Sequence, residues 1–169
     1  PSVQSYWSQR LNGSFPGAEF SRLDIANRDS ISLPLEFRSG FTVRKLGRTA
    51  GKIIMLPVMN WKTFSRNPLD DSLRLGPVSL SGLTDRTDTV LIQPPAGYHV
   101  THCPKEVSSV LPFASFNCSV ECLADSSIRV VRSVRFSPQE APVEQYRGVR
   151  DFIDLVLKTE SESIVLESQ

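Results

Sequence analysis

Three cysteines and two histidines are the residues of this chain best suited to covalent or metal chemistry, and their spacing limits what they can do. His99, His102 and Cys103 are close in sequence. In an unbroken strand, however, His99 and His102 point to opposite faces and cannot ligate one ion together. No Cys-x-x-Cys or His-Glu-x-x-His spacing occurs, so no metal site and no cofactor site is assigned. A cysteine nucleophile needs a thiolate beside a base, with a third group to orient that base. Cys103, Cys118 and Cys122 instead lie in strand-like segments, away from a helix N-terminus where a thiol is activated. No catalytic residue is assigned and the chain is read as a non-enzyme, with a Cys-dependent hydrolase kept as an alternative. The thiols are read as small buried hydrophobes. Cys118 and Cys122, four apart in a strand, are separated by about 13 Å and cannot bridge each other. Cys103 could meet either of them across a hairpin.

Other motifs resolve into structure more readily than into chemistry. Gly47-Arg48-Thr49-Ala50-Gly51-Lys52 imitates a phosphate loop but is one residue short between its glycines. Ile53 stands where Ser or Thr would hold magnesium, and a strand follows where a helix should start. A polar hairpin turn between Val43 and Ile53 accounts for it. Arg129 and Arg135 share one face of their strand, whereas Arg132 falls with Ile128, Val130, Val134 and Phe136. A solvated face with one arginine paired to a buried carboxylate explains this cluster better than an anion site, because no stacking aromatics are interleaved. Trp7 and Trp61 are the candidate interaction residues, since exposed aromatics on a β-sandwich can stack on sugars; Tyr6 and Phe64 accompany them, and core caps are the competing reading. Asn12-Gly13-Ser14 and Asn117-Cys118-Ser119 fit the N-glycosylation pattern, which matters only in a eukaryotic secretory context.

The elements that must position these residues are mostly strands. The chain has 169 residues, 40% hydrophobic and 22% charged, with a formal net charge of +1. That supports a folded core and excludes disorder as well as strong attraction to nucleic acid or anionic lipid. No stretch approaches the ~20 apolar residues of a membrane span. The chain begins with Pro1 and carries no leader pattern, so it reads as a piece of a longer or processed polypeptide.

Alternation is the dominant pattern. Phe20 to Ala26 reads as a strand closed by the polar turn Asn27-Arg28-Asp29-Ser30. Ile31, Leu33, Leu35 and Phe37 alternate with polar residues and predict a strand with one dry face, at an edge because of Pro34. Ile53 to Leu56 is apolar on both faces and predicts a central strand within Lys52–Met59, followed by a connection over 60–68. Shorter strands follow within Leu73–Leu80, Asp88–Gln93 and Tyr98–Cys103, with Pro94-Pro95-Ala96-Gly97 as a turn. Ala114–Cys122 and Ile128–Phe136 predict a hairpin turned by Ala124-Asp125-Ser126. Tyr146, Val149, Phe152, Ile153, Val156 and Leu157 recur at helical spacing and predict an amphipathic helix over about 142–159. Ser163–Leu166 closes the chain as a strand. The fold class is mainly β: an antiparallel β-sandwich with one C-terminal amphipathic α-helix packed on a sheet. Residues 1–19 read as an N-terminal linker or extension and 20–169 as a single domain.

The stretch from Arg74 to Leu166 resembles the C-terminal β-domain behind the transglutaminase-like (papain-like) core of multidomain Bacteroidetes proteins. Pro77-Val78-Ser79-Leu80 resembles its entering strand. Asp88-Thr89-Val90-Leu91-Ile92 with Pro95-Ala96-Gly97-Tyr98-His99-Val100 resembles its strand and Pro-x-Gly-Tyr-x-Val hairpin. Cys103-Pro104 stands for its Leu-Pro break; Phe116, Arg132, Tyr146, Phe152 and Ile164-Val165-Leu166 follow in order. Pro94-Pro95 and Cys103 depart from the pattern without altering the expected fold. The resemblance makes 71–169 the family-like portion and 20–70 strands bridging from the enzyme core. It implies an accessory module with an upstream transglutaminase-like domain of the same polypeptide as partner, in the periplasm or cell envelope. The family's catalytic Cys-His-Asp constellation has no counterpart here. A module binding polysaccharide or another surface polymer is the alternative.

Overall fold

The alternating segments fold as antiparallel strands, and the parity of each strand decides which side chains reach the core. The computed structural model describes residues 3–15, 17–43, 46–69, 74–81, 83, 85–124, 126–137 and 140–168. They fall into two compact units, Pro1–Leu46 and Gly47–Gln169.

In the first unit, helix α1 (Val3–Ser14) precedes strands β1 (Glu19–Ala26) and β2 (Glu36–Thr42), which pair antiparallel. The helix lies within the expected linker or extension; Val3, Tyr6, Trp7 and Leu11 stand at helical spacing there, diluted by Ser, Gln, Asn and Gly. Asn27 takes a positive φ of 61°, and Ser30 N–H donates to its carbonyl at 3.2 Å, so the predicted polar turn forms. The strand expected from Ile31 does not. Residues 31–35 are outside the ladder, and Ile31, Leu33, Leu35 and Phe37 are all exposed. Pro34 has no N–H for a ladder, and its carbonyl accepts from Asn27 Nδ2 at 2.8 Å instead. Pairing starts only at Glu36, so alternation over 31–35 has no sheet to bury its apolar side. Phe15 is buried and packs on Phe41 with ring centroids 5.3 Å apart.

The second unit opens on β3 (Arg48–Ala50) and β4 (Ile53–Pro57), a hairpin closed by Gly51-Lys52 with Gly51 at φ +59°. This is where the phosphate-loop imitation resolves into a tight turn. Gly47 is required for packing: a Cβ there would stand 2.5 Å from the Met55 carbonyl oxygen and 2.8 Å from Leu56 Cδ2. The strands that follow are β5 (Val78–Ser79), β6 (Arg86–Ile92), β7 (Tyr98–His102), β8 (Val107–Leu111), β9 (Ala114–Cys122), β10 (Ile128–Phe136) and β11 (Glu140–Ala141). A 3-10 turn at Val143–Gln145 leads into helix α2 (Tyr146–Ser161), and β12 (Ser163–Ser168) ends the described chain. Of the residues in the expected strands and turns, Leu73, Asp125 and residues 44–45 lie outside the described residues.

Two four-stranded antiparallel sheets result, in the orders β6-β10-β9-β8 and β3-β4-β12-β7, with β11-β5 as a small pair. The hairpin expected across Pro94–Gly97 is corrected. Gly97 takes φ +83° and Tyr98 N–H donates to Pro95 O at 3.1 Å, so the turn forms. Yet β6 pairs with β10 and β7 with β12, so this turn carries the chain from one sheet to the other. Two consecutive prolines lack the N–H groups that would extend the ladder. The predicted hairpin of β9 and β10 forms, and its register sets Val120 opposite Val130 and Phe116 opposite Val134.

The core draws on both sheets and α2. Ile128, Val130 and Val134 of β10 and Phe116 of β9 meet Ile164 and Leu166 of β12 and Val149, Phe152, Ile153 and Val156 of α2. Phe152 makes edge contacts with Phe113 and Phe136 at 6.3 and 6.0 Å. β4 is central in its sheet as predicted, but only Leu56 in it is buried; Ile53 is exposed. Among the described residues, no helix is long and apolar enough to cross a membrane.

Candidate functional site

The dry face of β6, β10 and β9 carries charge where apolar residues would suffice. Asp88 shares parity with Val90 and Ile92, and Arg132 shares parity with Val130 and Val134. The register then sets Asp88 directly opposite Arg132, and Arg132 directly opposite Cys118. Arg132 is wholly buried. Its Nε donates to Asp88 Oδ2 at 3.1 Å, and its Nη2 also donates to that oxygen. Its Nη1 donates to Glu160 Oε1 at 2.5 Å and to the Trp61 carbonyl at 2.9 Å. Arg86, on the same strand and face as Asp88, adds its own Nε at 2.9 Å from Asp88 Oδ2.

Glu160, also wholly buried, arrives from the last turn of α2. Thr63 satisfies it from the connection over residues 58–69: the Thr63 backbone N–H donates to Oε2 at 2.8 Å and the hydroxyl donates to Oε1 at 2.5 Å. The same connection runs antiparallel to α2 and is tied along it. Lys62 Nζ donates to Ser161 Oγ at 2.8 Å, Asn67 Nδ2 reaches Asp154 Oδ1 at 2.8 Å and Arg150 O at 3.1 Å, and Val58 N–H donates to Glu162 O at 2.9 Å. Two arginines and two carboxylates balance in charge. Among the described residues, no buried side-chain nitrogen or oxygen lacks a hydrogen-bond partner. The donors of the guanidinium and the oxygens of both carboxylates are engaged within the cluster. They join sheet, helix and connection.

This clasp was half visible beforehand. The sequence places Arg132 on the apolar face and pairs one arginine of the cluster with a buried carboxylate, but it names neither that arginine nor its partner. Continuing the helical series from Phe152, Ile153 and Val156 by three and four gives Thr159 and Glu160, both buried. An acid on an apolar stripe is the signal that a helix ended at 159 leaves out. Thr63 carries no such signal, because its segment has no period.

The other candidates are placed as follows. Trp61 is 40% exposed, on the connection whose backbone Arg132 holds. Trp7 lies within α1 of the first unit, and its side chain is outside the described residues. Arg129 forms an exposed cross-strand pair with Glu121 at 2.5 Å, and Arg135 is exposed. Asn117 is committed to the β9 ladder, its side chain donating to Glu106 Oε1 at 2.8 Å. His99 and His102 are both exposed. A register irregularity opposite Val165 and Leu166 skips Thr101 and breaks the strict alternation that was to separate the two imidazoles. Among the described residues, no group of three or more His, Cys, Asp or Glu gathers to hold a metal ion.

The thiols are distinct from one another. Cys118 is buried, and burial pushes it up to about 11, opposed by Arg132 and reinforced by Glu160 and Glu162. Cys103 is half-buried and is also raised to about 11, by burial first and then by its contact with Cys122. Cys122 is exposed, with its Sγ 3.2 Å from that of Cys103.

The family model described as "Domain of Unknown Function with solved-structure structure (DUF3858)" matches residues 51–166. The chain belongs to this family. The DUF3858 match begins at the β3–β4 turn and ends in β12, so it contains every residue of the clasp, including the connection that bears Trp61 and Thr63. It reaches further upstream than the stretch on which the sequence resemblance rests. Neither the curated proteins nor the solved structures yield a match to this chain.

Proposed function

We propose that this chain is a non-catalytic accessory β-module of a transglutaminase-like protein of the cell envelope, which packs against or positions an upstream papain-like core. The observation that carries the reading is the clasp. The groups with chemistry to offer, Arg132, Asp88, Glu160 and Thr63, are consumed in joining the sheet to α2 and its connection. The sequence resemblance over 74–166 supplies the partner. Burial raises Cys103 and Cys118 away from the thiolate, which disfavours either as the nucleophile of a Cys-dependent hydrolase, and the Sγ of exposed Cys122 faces that of Cys103 at 3.2 Å. The test is to assay the purified chain for amine incorporation into a glutamine-bearing protein and for amidase activity, and to titrate it with the papain-like domain. Absence of turnover together with saturable binding supports the proposal. Turnover abolished by cysteine alkylation overturns it.

A second reading rests on Trp61, whose ring is partly exposed on a connection fixed at its backbone. A rigid aromatic of this kind can stack on a sugar ring. Fluorescence titration with soluble polysaccharides tests it: a saturable change lost in Trp61→Ala supports a carbohydrate-binding module, and an unchanged spectrum rejects it.

A further inference from the structure

Cys103 and Cys122 are brought together from different sheets. Cys103 directly follows β7, an edge strand of the β3-β4-β12-β7 sheet, and Cys122 is the last residue of β9 in the other sheet. They are 19 residues apart in sequence, and their sulfurs are 3.2 Å apart, in a contact at the protein surface. A disulfide needs about 2.05 Å, so closure requires roughly 1 Å of sulfur movement. Cys118 lies four residues before Cys122 on the same strand and the same face, but it is buried opposite Arg132 whereas Cys122 stands at the exposed strand end, so Cys118 is outside this contact.

We infer that Cys103 and Cys122 are a redox-active pair that closes into an intramolecular disulfide joining the two sheets, while Cys118 remains a thiol. The inference is independent of the accessory role proposed above. The oxidant is a small-molecule or protein disulfide. Exposed Cys122 is the entering sulfur: its thiolate attacks one sulfur of oxidised glutathione, forming a mixed disulfide and releasing one glutathione thiolate. The Cys103 thiolate then attacks Cys122 Sγ, forming the Cys103–Cys122 bond and expelling the second glutathione thiolate. Two cysteine thiols are oxidised, one glutathione disulfide is reduced, and the two cysteine protons pass to the two leaving thiolates. The closed loop constrains the unfolded chain and locks the edge strand β7 to β9.

The experiment treats the full chain with oxidised or reduced glutathione, blocks remaining thiols in denaturant, and maps the peptides. Cleavage after Lys105 and Glu121 separates the three cysteines. The expected result is a Cys103–Cys122 cross-link lighter by two hydrogens, alkylated Cys118, and a Tm higher than that of the reduced chain by about 5–10 °C. Cys122→Ser and Cys103→Ser each abolish the cross-link and the Tm difference, whereas Cys118→Ser retains both. A bridge containing Cys118, a glutathione adduct persisting on Cys122, or disulfides only between chains overturns the inference. A correct cross-link without a rise in Tm overturns the locking of the sheets.

Discussion

Arg129 and Arg132 stand three residues apart on β10, and each pairs with a glutamate, yet the two pairs differ in every physical respect. Arg129 meets Glu121 across the neighbouring strand on the solvated face, with both side chains about half exposed. Arg132 meets Glu160 on the core face, with both side chains wholly buried and Thr63, Asp88 and the Trp61 carbonyl completing the shell. An exposed pair gains little because water and salt screen it. A buried pair has lost its hydration, so removing one partner strands the other. Residue type therefore says less than strand parity: an odd offset along β10 turns a marginal surface contact into a joint between sheet, helix and connection.

The largest expected effect is at the buried end. Arg132→Met strands Glu160 and lowers unfolding stability by about 3–5 kcal/mol, measured by urea denaturation. Asp88→Asn leaves Arg132 and Arg86 sharing a neutral partner and costs about 1.5–3 kcal/mol by the same measurement. Alkaline titration probes the neighbouring buried thiol. Cys118 is raised to about 11 from an ordinary 9.0, so its protonated form is favoured by folding. That contribution is whole below pH 9 and is lost as pH rises toward 11; stability in reducing buffer should fall over this window, and less steeply in Cys118→Ala. Thr63→Val removes one hydroxyl donor to Glu160 but keeps the backbone N–H, at a cost of about 1 kcal/mol. At the exposed end, Arg129→Met costs about 0.2–1 kcal/mol, and the loss shrinks further when salt is added.

The same contrast explains what could be read from the chain beforehand. Alternation in 114–122 and 128–136 located β9, β10 and the inward position of Arg132, because both strands have one buried face. Alternation in 31–37 misled, since Pro34 and the turn before it keep residues 31–35 out of the ladder. The helix was legible from its apolar stripe, but ending it at 159 hid Glu160. The turn at Pro94–Gly97 was legible as a turn; its passage between sheets was not, because pairing partners are set by the whole topology and not by the turn. Thr63 depends on where an aperiodic connection runs, which no local pattern encodes; Cys103 meets Cys122, one of the two partners left open by the sequence, but from a different sheet and not across a hairpin.

The most direct measurement of the clasp is a pair of double-mutant cycles, Arg132 with Glu160 and Arg129 with Glu121, read by urea unfolding at low and high salt. Several kcal/mol of coupling at 132/160, insensitive to salt, beside less than about 1 kcal/mol at 129/121 is the predicted result. Equal coupling at the two pairs, or a 132/160 term that vanishes in salt, would contradict it.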